Sequence, residues 1–324
     1  MTTPELPYSD LTPDSVMDAV ESLGFQCDAR ILALNSYENR VYQVGIEDEQ
    51  PVIAKFYRPN RWSRATIAEE HAFLLQLAEE DVPVVAPLQH QGDTLFNANG
   101  YHFALFPRRG GHAPELSREH DLELIGRWLA RIHQVGARQP FQHRHTIQPA
   151  ADLSQAAQQV LASGLMPEDY RDAYQSTMQT LAQQLPEQLP WNTLRLHGDL
   201  HSGNLLLRDQ ALFFVDFDDC LQGPAIQDIW MLLSGQRDEQ QAQIRTIAEG
   251  YEVFRPFPSE ELVSIEVLRT LRIARYAAWL SQRWSDPAFP SAFPWFTGHA
   301  FWSQHLLALR EQQASLFDEP LQRF

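Results

Sequence analysis

Short apolar stretches separated by polar turns dominate the first third of the chain, and they predict strands. The segments about Ile31–Leu34, Arg40–Ile46 and Val52–Tyr57 are rich in β-branched and aromatic residues. A hairpin is predicted from Leu95–Phe96 to Tyr101–Phe106, because the intervening Asn and Gly residues favour a tight turn. The N-terminal part of the chain is therefore predicted to be rich in sheet.

Helical periodicity marks the segments around and after these strands. One helix is predicted to begin at Thr12–Pro13 and to end at Gly24, and another to span Ala65–Glu80. Pro107–Gly111 breaks the pattern, and an amphipathic helix follows at Leu122–His133. Further helices are predicted at about Asp152–Ala162, Glu168–Gln184, Glu239–Phe254, Glu260–Trp284 and Gly298–Gln313.

A second hairpin, predicted around residues 208–210, brings chemically active side chains together. Asp199 and Asn204 come just before it and Asp216 just after it, so we expect all three at one edge. Taken singly, each is explained by a turn or a helix cap. As a set they favour phosphoryl transfer from ATP. One carboxylate accepts the proton of the attacking hydroxyl, and an amide and a second carboxylate hold Mg²⁺ on the phosphates.

The pattern H-G-D-L-H-S-G-N at residues 197–204 resembles the catalytic loop of the aminoglycoside phosphotransferase and choline kinase family. Segments 34–43, 55–59, 195–199 and 284–290 are similar to bacterial Ser/Thr protein kinases of that family, which act in stress responses. The resemblance covers most of the chain. It implies an α+β, bilobal, protein-kinase-like fold in a monomeric cytoplasmic protein.

The resemblance also divides the chain into two lobes with different roles. Residues 1–106 are expected to form a small, β-rich N-lobe that binds the nucleotide. Residues 107–324 are expected to form a large, mainly helical C-lobe that carries the 197–204 loop and binds the substrate. Asp199 would then be the catalytic base, and Asn204 and Asp216 the metal ligands.

Lys55 lies inside an apolar strand and is predicted to contact the α- and β-phosphates. On its own it is better explained as an edge-strand charge, but the downstream motif favours the catalytic role. Glu70 shares the inward helical stripe of Leu74 and Leu77, and we predict that it holds Lys55. Glu69 points elsewhere and is expected to be a solvated charge.

Two other regions are predicted to contact ATP. The turn at residues 35–39 lacks a glycine-rich pattern, and Ser36 is expected to donate its backbone and hydroxyl hydrogens to phosphate. Asn residues in this turn tolerate the left-handed conformation. Backbone groups near Phe106 and Arg108 are expected to meet adenine at the hinge between the lobes.

The sequence says less about the phosphate acceptor and about how activity is regulated. The acceptor is either a Ser or Thr of a protein, this chain included, as the resemblance implies, or a small-molecule hydroxyl of an amino alcohol, sugar or antibiotic. His201 is expected to fix the loop geometry, and Asp228 to be structural. Asp218 and Asp219 are expected to contact a cationic acceptor or to stay solvated. Because the loop has no Arg beside Asp199 and the following segment is short, we expect no switch by loop phosphorylation.

Composition adds exclusions. The chain has 324 residues with a net charge of −17, which argues against nonspecific nucleic-acid binding. Cys27 and Cys220 match no metal spacing and are expected to be reduced thiols. No signal peptide or membrane span is evident, so a cytoplasmic protein is expected. Aromatic residues near the C-terminus would suit a quaternary-ammonium cage, but we favour core packing.

Overall fold

A computed structural model describes residues 7–323 of the chain as an N-terminal antiparallel sheet followed by a mainly helical region. The predicted α+β class is confirmed. The N-terminal elements are α1 (Pro13–Glu21), β1 (Cys27–Leu34), β2 (Arg40–Ile46), β3 (Val52–Phe56), α2 (Arg64–Glu79), β4 (Phe96–Ala98) and β5 (Tyr101–Pro107). They are followed by α3 (Glu119–Gly136), α4 (Pro149–Ser163), α5 (Arg171–Gln184), β6 (Leu194–Leu196), β7 (Leu205–Arg208), β8 (Ala211–Phe214), β9 (Leu221–Gly223), α6 (Gln227–Trp230), α7 (Arg237–Tyr251), α8 (Ile265–Arg283), α9 (Ala288–Ala292) and α10 (His299–Ser315).

The chain divides into two compact units. The first comprises Met1–His145, Leu194–Gln222 and Thr246–Pro256, and the second comprises the intervening segments and the C-terminal residues. The first unit thus combines the sheet with the segment from β6 to β9. The predicted lobes divide the chain once, after residue 106, whereas the compact units are built from several separate segments. The lobe boundary therefore stays a prediction.

The five-stranded sheet, with strand order β1-β2-β3-β5-β4, has two chemically different faces. Because side chains alternate along a strand, one face gathers the large apolar residues and is covered by Val16, Ala19 and Val20 of α1. The opposite face carries Lys55, paired in register with Val41 on one side and Ala104 on the other. Residues of the covered face that are fully or nearly buried are Val44, Ile46, Val52, Ala54, Phe56, Phe103 and Leu105.

Helix α2 is anchored beside the Lys55 face. Ser63 caps its first turn by accepting a hydrogen bond from the Thr66 amide at 3.1 Å. Buried within the helix, His71 bonds the Tyr57 hydroxyl and the Thr94 hydroxyl, each at 2.8 Å. Burial lowers the pKa of His71 to about 3, so this imidazole is neutral near pH 7.

The hairpin of β7 and β8 turns at two residues with positive φ, Asp209 at 51° and Gln210 at 66°. This is the conformation that a two-residue hairpin turn requires. Val84 pairs with β8 and His112 with β7, so the hairpin is held on both sides. The predicted hairpin is confirmed, and it fixes the spacing between the segments that precede and follow it.

The second unit is helical, with α4, α5, α8 and α10 packed on one another. Core packing, as favoured from the sequence, holds for Phe289, Phe296 and Trp302 of its aromatic cluster, which are buried, whereas Trp295 is exposed. Trp279 meets the Phe289 ring edge-on at 5.1 Å, and Trp284 contacts Phe296 at 5.2 Å. None of the helices described between residues 7 and 323 is long and apolar enough to cross a membrane.

The largest differences from the predicted elements have local causes. Strand β1 begins at Cys27 rather than about Ile31, because a register irregularity at Ala29, with φ 64°, interrupts the alternation that marks a strand. Strands β6 and β9 were not predicted, since three residues are too few to show a period. They pair with each other at the two ends of the segment from residue 197 to 220.

Gly126→Ala is expected to destabilise the fold by about 1–3 kcal/mol through overpacking between α3 and the end of α7. A Cβ at Gly126 would lie 2.2 Å from the Ile247 carbonyl oxygen. Gly110→Ala is the matched control, because the nearest atom to its Cβ would be 3.6 Å away. Urea unfolding would measure both variants, and equal stability of the two would contradict the close helix contact.

Candidate active site

The residues 197–204 form a loop that lies against the segment after β8. The buried His197 donates from Nε2 to the Val215 carbonyl at 2.8 Å, which fixes the tautomer with hydrogen on Nε2. Gly198 has φ 85°, and a Cβ there would lie 2.5 Å from the Asp219 carbonyl oxygen. Only glycine allows both this backbone conformation and this approach. The H-G-D motif is thereby explained by geometry as well as by chemistry.

Asp199 is positioned by the rest of the same loop. The Asn204 side-chain amide donates to the Asp199 carbonyl at 3.0 Å. His201 accepts a bond from the Gly203 amide at its Nδ1, and its Nε2 lies 3.8 Å from the Asp199 carboxylate. The placement of His201 agrees with its predicted part in shaping the loop. The carboxylate of Asp199 is one-third exposed and can be reached by an acceptor hydroxyl.

Asp216 is held in an unusual backbone conformation, with φ 61° and ψ 62°. An aspartate tolerates this left-handed region better than most residues, and such conformations occur disproportionately at functional sites. The side chain is 57% exposed. One residue earlier, the Val215 amide donates to the Asn204 carbonyl at 3.0 Å, which brings Asn204 and Asp216 together as predicted from the hairpin.

Lys55 meets three carboxylates. Its ammonium lies 3.2 Å from Asp218, 3.3 Å from Asp216 and 3.8 Å from Glu70. Burial acts against the charged form, but these carboxylates outweigh it and raise the pKa of Lys55 well above its usual value. The ammonium is therefore charged throughout the physiological range, and it has an acidic partner on each side.

Asp218 is neither solvated nor free for an acceptor, which corrects the expectation for this residue. It is 4% exposed, and its carboxylate accepts a bond from the Asn39 amide at 2.9 Å and pairs with Arg61. Burial favours the neutral acid, yet Lys55, Arg61 and the Asn39 bond together lower the pKa of Asp218 below its usual value. Asp219 is also paired, with Arg61 at 2.5 Å.

Glu70 is the buried partner of Lys55 in α2, as predicted, but its shorter ion pair is with Arg144 at 2.9 Å. Burial raises the pKa of Glu70, with Lys55 and Arg144 opposing that rise. Glu69 is not simply solvated. Its carboxylate accepts bonds from the backbone amides of Gln142 at 2.6 Å and His143 at 2.8 Å, so it anchors the loop that carries Arg144.

The 35–39 loop uses its asparagine differently from the expectation. No residue of this loop has positive φ, so left-handed tolerance has no part in it. Instead Asn39 accepts a bond from the Arg58 amide at 3.0 Å while donating to Asp218. Ser36 Oγ accepts a hydrogen bond from the backbone amide of Asn39 at 3.4 Å. The loop is thereby tied to the segment after Asp216.

The strand register places an apolar surface on the Lys55 face, which no sequence motif indicates. Leu34, Val41, Lys55 and Ala104 are consecutive cross-strand partners and therefore share one face. Leu34 is 37% exposed, and Leu32, two residues earlier on the same face, is 57% exposed. Open apolar side chains beside a buried ammonium suit a flat aromatic base attached to phosphates.

The residues predicted to meet adenine lie at the end of β5. Phe106 is buried and packs edge-on against His71 at 6.1 Å. Arg108 is exposed, and its Nε donates to the side chain of Gln43 at 2.7 Å. Gln43 lies on the Lys55 face of β2, so Arg108 reaches the rim of the apolar surface. Their contact with adenine stays a prediction.

The charges explain why a cation suits this site. The printed distances connect carboxylates and cations into one network of ion pairs, and Asp216 is its most exposed carboxylate. Asn204 beside it has its side-chain nitrogen engaged as a donor, which leaves its oxygen available. Hard oxygen donors of this kind fit Mg²⁺. The charged members are Glu38, Glu70, Asp216, Asp218, Asp219, Lys55, Arg58, Arg61 and Arg144.

Comparison with known proteins identifies the family. The sequence profile of the phosphotransferase enzyme family matches residues 30–262, which is more than half of the chain. This chain belongs to that family. The phosphotransferase is 44% identical over 317 residues to stress response kinase A of Salmonella choleraesuis (strain SC-B67), covering 97% of this chain and 96% of the relative. Serine/threonine protein kinase RdoA of Salmonella typhimurium (strain LT2) matches with the same identity and coverage.

A solved structure supports the same fold. Amicoumacin kinase hAmiN, determined in complex with AMP-PNP, Ca²⁺ and Ami, is similar to the phosphotransferase with a TM-score of 0.70. The match covers 95% of each chain at 19% identity, so it bears on the fold alone. The resemblance inferred from the sequence motifs is confirmed.

Asp218→Asn is expected to destabilise the phosphotransferase by about 3–5 kcal/mol, because it leaves buried cations without their partner. Asp219→Asn is the matched control. Its carboxylate is about half exposed, so we expect a loss of at most about 1 kcal/mol. Chemical unfolding of both variants would measure the difference. A smaller loss for Asp218→Asn than for Asp219→Asn would contradict the burial argument.

Proposed function

We propose that this phosphotransferase is an ATP- and Mg²⁺-dependent kinase that phosphorylates Ser and Thr hydroxyls of proteins. The observation that carries the proposal is the meeting of Lys55 with Asp216 at 3.3 Å beside the loop that holds Asp199 and Asn204. The names of the relatives at 44% identity support a Ser/Thr acceptor and a part in bacterial stress responses. We further propose that it acts as a monomer in the cytoplasm.

In this proposal the residues of the sheet bind and orient the nucleotide. The base lies on the apolar surface around Leu34, with backbone groups near Phe106 and Arg108 at its edge. Lys55 contacts the α- and β-phosphates, and Ser36 in the 35–39 loop donates to phosphate. Glu70 orients Lys55. A fixed ammonium in a site of low dielectric stabilises phosphate charge without reorganising during the reaction.

The residues after β6 perform the transfer step. Asp199 accepts the proton of the acceptor hydroxyl while the hydroxyl oxygen attacks the γ-phosphorus. ADP leaves with the electrons of the broken P–O bond. Asn204 and Asp216 hold Mg²⁺, which supplies positive charge to the transferring phosphoryl group. The exposed carboxylate of Asp216 is suited to that task because its neighbour Asp218 is already neutralised by Arg61 and Lys55.

Labelled ATP offered with three kinds of acceptor tests the proposal and its alternative. The acceptors are the chain itself, a generic unstructured protein rich in Ser and Thr, and a panel of amino alcohols, sugars and aminoglycosides. Transfer to protein would support the proposal if the label survives acid and is recovered as phosphoserine or phosphothreonine after hydrolysis. Transfer confined to a small alcohol would instead support a small-molecule hydroxyl kinase.

Asp199→Asn is expected to lower the transfer rate by roughly two to four decades, because a general base contributes about that much. ATP affinity should be nearly unchanged, since Asp199 is not expected to contact the nucleotide. Asp209→Asn, at the exposed β7–β8 turn, is the matched control. Initial rates and calorimetric ATP binding would be measured, and undiminished transfer by folded Asp199→Asn protein would refute the base assignment.

Asn204→Ala and Asp216→Ala are expected to weaken binding of Mg²⁺–ATP more than binding of metal-free ATP. Both substitutions remove a hard oxygen ligand, which Mg²⁺ prefers. Calorimetry with and without Mg²⁺ would separate the two effects. Equal losses in the two conditions would contradict the ligand roles, and Asp209→Asn again serves as the control for an aspartate outside the site.

A further inference from the structure

Arg144, in the loop after α3, has a bonding pattern that the proposed reaction does not explain. Its guanidinium donates to the Thr66 carbonyl at 2.9 Å, to the Asp218 carbonyl at 2.6 Å and to the Cys220 carbonyl at 3.3 Å. It also pairs with Glu70 at 2.9 Å. Its side chain is fully buried. One guanidinium thus joins α2 to the segment that follows Asp216.

The distances show which partner fixes Glu70. Its carboxylate lies 2.9 Å from Arg144 but 3.8 Å from Lys55, so the shorter charge-assisted bond is with the arginine. A buried carboxylate without such a partner would be strongly disfavoured. Trp62 packs against Arg144, with the guanidinium carbon 5.1 Å from the ring centroid, and this contact keeps the fork in place.

We propose that Arg144 is a positioning residue that holds Glu70, and through it Lys55, in the arrangement required for phosphoryl transfer. This inference rests on the proposed function. In this proposal Arg144, rather than a regulated contact, holds α2 in position against the acidic segment 216–219. Moving α2 away would break the bonds to Glu70 and Thr66 and leave Glu70 buried without its shortest partner. The site is therefore assembled before any nucleotide or modification arrives.

Three variants of the full chain test the proposal. Arg144→Met keeps an unbranched side chain that can pack on Trp62 but removes every donor. Arg144→Lys keeps the positive charge but loses the planar fork. Arg138→Met is the control, because Arg138 also holds α2, through an exposed pair with Glu80 at 2.6 Å at the far end of the helix. All rates are taken well below each variant's unfolding temperature.

Arg144→Met is expected to lower kcat by about 10–100-fold, since a displacement of about 1 Å at a reacting group has effects of this size. Arg144→Lys should retain the fold and show a smaller loss. Arg138→Met should leave kcat and the KM for ATP unchanged. If Arg144→Met does not fold, the comparison of Arg144→Lys with Arg138→Met decides the question. Unchanged kcat in folded Arg144→Lys would overturn the proposal.

A double-mutant cycle separates positioning from general destabilisation. If Arg144 acts through Glu70, adding Arg144→Met to Glu70→Gln should change kcat by no more than about twofold, because coupled residues are not additive. A loss in the double variant equal to the product of the two single losses would overturn the proposal. It would show that Arg144 affects turnover independently of Glu70.

The pH profile gives a second readout. Glu70 faces Lys55 from β3, Arg144 from its loop, and Asp216 and Asp218 from the acidic segment. Removing Arg144 disfavours the charged carboxylate, so the acid limb of kcat should move upward by about 1–3 pH units in Arg144→Met. An unmoved limb would overturn the proposal. Wild-type protein that transfers no phosphate to any acceptor would instead refute the proposed function.

Discussion

A buried ammonium in the middle of a sheet must be compensated, and much of the first compact unit is arranged to compensate Lys55. Three carboxylates lie within 4 Å of it, contributed by α2 and by the segment after β8. Each buried carboxylate requires further cations, which Arg61 and Arg144 supply. Since an unpaired buried charge costs several kcal/mol, the positions of these elements are interdependent. The same ion pairs therefore determine both the geometry of the candidate site and the stability of the unit.

That dependence gives Asp216 its distinct character. Asp218 and Asp219 follow shortly after it, yet both of their carboxylates pair with Arg61. Asp216 alone of the three has a left-handed backbone and a largely exposed carboxylate beside Asn204. Three successive acidic side chains, with only Phe217 between the first two, thus have different environments. The backbone turn at Asp216 produces the difference by directing one carboxylate outward and the next inward.

Local chemistry was readable from the sequence, and long-range pairing was not. The hairpin around Asp209 was predicted because apolar runs and turn residues are local signals, and it placed Asn204 near Asp216 correctly. Helix periodicity also selected Glu70 over Glu69 as the buried residue. Arg144 carried no such signal, since it lies 74 residues from Glu70 and belongs to no periodic segment. Asp218 was misjudged because nothing near it in sequence indicates that Arg61 and Asn39 would enclose it.

The separation of Asn39 from Asp218 along the chain has a consequence for synthesis. These two residues are 179 positions apart, and Arg61 and Asp218 are 157 apart. At about 5–20 residues per second, the ribosome needs roughly 8–36 s to advance from one to the other. During that interval Lys55 has only Glu70, and Arg61 only Glu38, of the acidic partners that each has in the finished structure. The set of ion pairs around Lys55 and Arg61 is therefore completed only well after all five strands of the sheet have been synthesised.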